Sequence, residues 1–114
     1  MLLDQTPAAK KPPAEVLAGW MIAVLLHLPD EPEVVRHYFA VAQLDQARAE
    51  WAAADRAMLT GPIASSPHAG MEPVQAIGKL SRHAVGLLCL GPGEMKALGR
   101  KWPRRFLTGP EAAG

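Results

Sequence analysis

The feature that most constrains this chain is a nearly continuous apolar stretch at residues 17–28, which Pro29 ends. Its 12 residues are too few to cross a bilayer, because a membrane-spanning helix needs about 20. Large apolar side chains recur here every three or four residues, which is the spacing of one helix face. We therefore predict an apolar central helix over residues 14–28 and no membrane span. Its face consists of Val16, Leu17, Trp20, Met21, Val24, Leu25 and Leu28.

A second, longer helix is predicted over residues 31–59. Asp30 offers a capping oxygen, Pro32 suits the first helical turn, and Glu33 completes a capping box. Apolar side chains then continue at helical spacing as far as a stop signal at Gly61-Pro62. These start and stop signals predict one long amphipathic helix.

A helix of that length measures roughly 42 Å, which is more than the helix over 14–28 can cover. Part of its apolar stripe should therefore pack against a partner protein or a second copy of the chain. We expect a homo-oligomer. The predicted partner interface consists of Val34, Tyr38, Val41, Leu44, Trp51 and Met58.

The second half of the chain contains weaker signals. Residues 61–70 are rich in turn-forming residues and predict a loop. Pro73 could begin a third helix, although a short strand over residues 83–90 is an alternative because glycines weaken that helix by about 1 kcal/mol each. Residues 94–101 are typical of a short basic helix. The C-terminal part is therefore predicted to be a looser basic pair of helices.

These elements predict an all-α fold, a small helical bundle in a single domain over residues 14–107. Residues 1–13 contain three prolines and two lysines without a periodic pattern, and they predict a flexible arm. Residues 108–114 also lack a pattern and are expected to fray.

The charge is unevenly distributed along the chain. Residues 1–60 contain five basic and eight acidic residues, whereas residues 61–114 contain seven basic and three acidic residues. Trp102 and Phe106 lie among the basic side chains of the second half, a mixture that suits phosphate contacts combined with base stacking. As an alternative function, this basic segment predicts nucleic-acid binding through Lys96, Arg100, Lys101, Arg104 and Arg105.

The same basic segment has a second interpretation, in which it pairs within the chain with acidic side chains of the long helix. Those acids are Asp45, Glu50 and Asp55. On a helix, these acids would lie close to Arg48 and Arg56 and form local ion pairs on a solvent-facing surface. They therefore do not indicate a pair of catalytic carboxylates.

Catalytic and cofactor motifs are missing from the sequence. The one cysteine, Cys89, excludes an internal disulfide and favours a reducing, cytoplasmic location. Leucines flank it, which predicts a buried and inert thiol. No CxxC or HExxH spacing is present, so we expect no metal, no cofactor and no enzymatic activity. The sequence predicts a non-enzymatic interaction or regulatory protein, with a nucleic-acid-binding accessory protein as the alternative.

Overall fold

The computed structural model of this protein describes residues 17–106, and these form an antiparallel sheet with short helices. The four strands lie in the order β3-β1-β2-β4, and every neighbouring pair is antiparallel. The predicted all-α bundle is therefore wrong. The elements are β1 (Leu17–Leu26), β2 (Val35–Val41), α1 (Gln46–Ala57), β3 (Val74–Ser81), α2 (Arg82–Leu87), β4 (Met95–Gly99) and a 3-10 turn (Arg104–Phe106).

Strand β1 occupies the apolar stretch that predicted a central helix. Ile22, Val24 and Leu26 point to the sheet face covered by α1. Met21 and Ala23 point to the opposite face, which α2 and the end of the described chain cover. A strand buried on both faces needs apolar residues at every position, so its sequence shows no two-residue alternation. This explains why the helix predicted over residues 14–28 is wrong.

The long helix predicted over residues 31–59 is also wrong as a whole. Its first half is a turn followed by β2, which pairs with β1 along its length. Helix α1 begins only after Asp45, whose carboxylate accepts a hydrogen bond of 3.0 Å from the amide of Arg48. Three fully buried alanines, Ala49, Ala53 and Ala57, then face the sheet. These small side chains occupy the face of α1 that contacts the sheet, and the larger side chains of Trp51 and Met58 lie outside that contact.

The C-terminal helical pair is corrected in the same way. Strand β3 replaces most of the third predicted helix, and β4 replaces the basic helix over residues 94–101. The segment 83–90, for which a strand was the alternative, contains most of α2. Ser81 caps α2 by accepting a hydrogen bond of 3.0 Å from the amide of Ala84.

Two further predictions concern exposure and membrane insertion. Cys89 is exposed rather than buried, because it lies just after the end of α2 and not inside an element. Within residues 17–106, no helix is long and apolar enough to span a membrane. The predicted arm 1–13 and tail 108–114 lie outside the described residues.

Candidate functional site

The six residues of the predicted partner interface differ in their exposure to solvent. Tyr38 and Val41 belong to β2 and are buried in the core on opposite faces of the sheet. Val34, just before β2, is half-buried. The other three, Leu44, Trp51 and Met58, are exposed. These residues therefore do not form the single stripe that the sequence predicted, but the exposed ones remain available to a partner.

Trp51 and Met58 form one wall of a groove between α1 and the edge of the sheet. The Trp51 side chain is 75% exposed and that of Met58 is 55% exposed. Ile63 and Val74 lie on the sheet side of this groove, which has a volume of about 430 Å³. Large apolar side chains and a concave apolar surface are therefore combined at one place, and we call this place the α1–β3 groove.

Strand β3 borders the groove and is the outermost strand on its side of the sheet. The carbonyl oxygen of Pro73 accepts a hydrogen bond of 2.9 Å from the amide of Leu25, so it points inward toward β1. Backbone groups alternate between the two sides of an antiparallel strand. The amides and carbonyls of Val74 and Ala76 therefore point outward, where no neighbouring strand of the described sheet pairs with them.

Opposite charges lie near the two ends of this strand. Glu72 is exposed two residues before β3 begins, and Lys79 is exposed near its end. Neither takes part in an ion pair with another residue of the described range 17–106. Glu50 and Asp55 of α1 lie beside the groove and make it mildly acidic.

The edge of β3 is a candidate site that the sequence patterns did not predict. Gly78, which lies inside β3 and weakens a helix, was the one available signal. The presence of an open edge depends on strand order, which a single sequence does not reveal. Only the structure therefore identifies the candidate binding residues at this edge, which are Glu72, Val74, Ala76 and Lys79.

The basic segment spreads over β4 and the turns that follow it. Lys96 is exposed on β4, and Lys101 is exposed shortly after that strand. Arg100 forms an ion pair of 2.6 Å with Glu31, in the turn region before β2. Arg104 and Arg105 lie in the 3-10 turn. Within residues 17–106, the ion pair of Arg100 thus joins this segment to Glu31 and not to Glu50 or Asp55 of α1.

The two aromatic residues of the basic segment make contacts within the protein. The ring of Trp102 meets Tyr38 edge-on, with the ring centres 5.6 Å apart. Phe106 packs against the core, and the guanidinium of Arg105 lies 5.1 Å from the centre of its ring. Stacking on a nucleic-acid base would have to replace or share these contacts.

Strand β2 carries two polar side chains with buried atoms that lack hydrogen-bond partners in the described part of the chain, namely Nε of Arg36 and Nε2 of His37. Burial and the positive charge of Arg100 both lower the pKa of His37 from its ordinary value of 6.5. His37 is therefore neutral at physiological pH. No cluster of three or more metal-binding side chains occurs among residues 17–106.

Comparison with known proteins adds no further evidence about this site. No family model, curated protein or solved structure matches the chain. The functional inference therefore depends on the surface geometry described above.

Proposed function

We propose that this protein is a non-enzymatic interaction or regulatory protein, and that it binds another protein chain through the α1–β3 groove. The observation that carries the proposal is the 75% exposure of Trp51 beside an apolar groove. Tryptophan is enriched among the residues that dominate binding energy at protein interfaces. Exposed apolar patches bordered by polar residues are typical of such interfaces.

The support beneath Trp51 also suits a binding surface. Buried alanines hold α1 against the sheet, and Asp45 caps its first turn. Trp51 therefore projects from a fixed helix, and its side chain has only two rotatable bonds. Little conformational entropy would be lost when a partner covers it.

A cytoplasmic location is part of this proposal. Cys89 is free and exposed, and such a thiol persists best where the surroundings are reducing. Nucleic-acid binding by the basic segment remains a prediction that no structural observation supports. Trp102 and Phe106, the two rings expected to stack on bases, already pack against other residues of the protein.

Site-specific photo-crosslinking in the native host tests the proposal. A photo-reactive phenylalanine analogue is placed at position 51 and, in a control variant, at the exposed position of Arg56. Arg56 follows Trp51 by five residues and therefore points about 140° away around the helix. We expect a defined protein adduct from position 51 and none of that mass from position 56. Equal labelling at both positions, or no adduct at position 51, would contradict the proposal.

A further inference from the structure

We propose that the partner at the α1–β3 groove is a second copy of this chain, added through antiparallel pairing of the two β3 strands. The result would be a two-fold symmetric dimer with one continuous eight-stranded sheet. This inference depends on the proposed function, because it names the partner for the same groove. Backbone pairing, side-chain size and charge all favour it.

The outward backbone groups of β3 can pair with their own copy. Val74 and Ala76 both direct an amide and a carbonyl away from the sheet, as the inward bond at Pro73 requires. A two-fold axis beside Gln75 would place Val74 of each copy opposite Ala76 of the other. Both residues would then exchange hydrogen bonds, and two unpaired edges would be satisfied together.

The spacing of the helices in such a dimer leaves a gap that large side chains must fill. Helix α1 packs mainly over β1, the strand next to β3. Three strand spacings would separate the two copies of β1, so the two α1 helices would lie about 14 Å apart. Directly packed helices lie only about 8–10 Å apart. Trp51 and Met58 project from α1 toward this gap and have the bulk to fill it.

The charges near β3 are complementary to those of a second copy. Ile77 is an extra residue on β3, since Ala76 pairs with Ile22 while Gly78 pairs with Met21. With this bulge included, the register that joins Val74 to Ala76 also brings Glu72 of one copy opposite Lys79 of the other. The symmetry produces this pair twice. Within one copy the two residues are seven positions apart, roughly 20 Å along the strand, and cannot meet.

Exchange of these charges tests the inference on the full-length chain. The variants are Glu72→Lys and Lys79→Glu, and Lys96→Glu on the opposite edge strand is the control. Each single variant alone would place two like-charge pairs across the dimer, so we expect its dissociation constant to rise about tenfold, whereas the control should not change it. A mixture of the two variants would restore both opposite-charge pairs. We therefore expect heterodimers to form with wild-type affinity.

Sedimentation velocity at low salt, with one variant fluorescently labelled, measures these affinities. The exposed change Trp51→Ala provides a second test that does not involve charge, and it should also weaken the dimer. A wild-type chain that stays monomeric at about 100 μM would overturn the inference. The inference would also be overturned if neither charge reversal changed the dissociation constant of the dimer. The same holds if the mixture of the two variants did not reach wild-type affinity.

The outcome for the dimer is distinguishable from the outcome for the proposed function. If the chain is monomeric but position 51 still crosslinks to a protein of different mass, the groove binds another partner. The proposed function then stands and the dimer does not. If crosslinking at position 51 also fails, both are wrong.

Discussion

Gly19 of β1 and Val41 of β2 meet backbone to backbone. A Cβ atom at Gly19 would overlap the carbonyl oxygen of Val41 and would lie 3.0 Å from Cα of Ala42. Backbone atoms cannot turn aside as a flexible side chain can. The close approach of these two strands therefore requires a residue without a side chain at position 19.

The first prediction is that Gly19→Ala lowers the free energy of unfolding by about 2–3 kcal/mol, because β1 and β2 must separate locally to admit the methyl group. Gly86→Ala is the matched control, since a Cβ atom at Gly86 in α2 meets nothing within 4 Å. That change should be neutral or add up to about 1 kcal/mol, as alanine favours helix more than glycine does. Urea denaturation of both variants measures the difference. Equal stability of the two would contradict the close contact at position 19.

The second prediction concerns Cys89, which has a positive φ of 57° just after α2. This left-handed conformation costs a residue with a side chain roughly 1–2 kcal/mol, and glycine is the usual residue at this position after a helix. We expect Cys89→Gly to raise the free energy of unfolding by about 0.5 kcal/mol, since the added freedom of the unfolded chain offsets part of the gain.

Cys89→Ala is the control for this change, because it removes the thiol but keeps the strained conformation. Thermal unfolding of both variants under reducing conditions should show a higher Tm for the glycine variant only. A similar rise in both would assign the effect to loss of the thiol instead.

The third prediction is a dependence of stability on pH through His37. Its pKa in the folded protein is lowered below 6.5, first by burial and then by Arg100. The unfolded chain therefore binds the proton more readily. Above pH 6.5, the contribution of His37 to the free energy of unfolding should not change with pH. As the pH drops from 6.5 through the pKa of His37 in the folded protein, the free energy of unfolding should fall.

NMR titration of the imidazole measures this pKa directly. Arg100→Gln should move it upward, toward 6.5, while leaving the burial of His37 in place. Comparison of acid unfolding between wild type and His37→Gln should show a smaller loss of stability in the variant below pH 6.5. A His37 pKa at or above 6.5 in the wild type would contradict the prediction.

The sequence itself determined some of the places where the chain turns. Pro29 and Gly61-Pro62 were predicted to end elements, and both lie in turns or irregular segments of the structure. These positions are predictable because proline and glycine act on their own backbone and need no distant partner. The helical segment 46–57 likewise lies inside the predicted helix, although its true start at Asp45 was missed.

Side-chain spacing could not decide between helix and strand for β1. When nearly every residue of a segment is apolar, a helical face can be traced through it whether or not a helix exists. The ten residues of β1 also exceed the average strand of about 5–6 residues, so segment length favoured the wrong element. In β2, apolar side chains on both faces of the strand likewise matched the spacing of a helix face.

Exposure of Trp51 and Met58 follows from local chemistry, because three alanines spaced four residues apart occupy the face of α1 that contacts the sheet and leave these two side chains outside that contact. Their role at a partner interface remains a prediction. The groove itself depends on strand order: β3 lies at the edge only because β2 and β3 both pair with β1, although helix α1 and a long loop separate them in the chain. Such pairing depends on contacts between residues far apart in sequence. Only the tertiary structure therefore decided that Val74 and Ala76 lie on an edge strand of the described sheet, because no local pattern encodes which strands become neighbours.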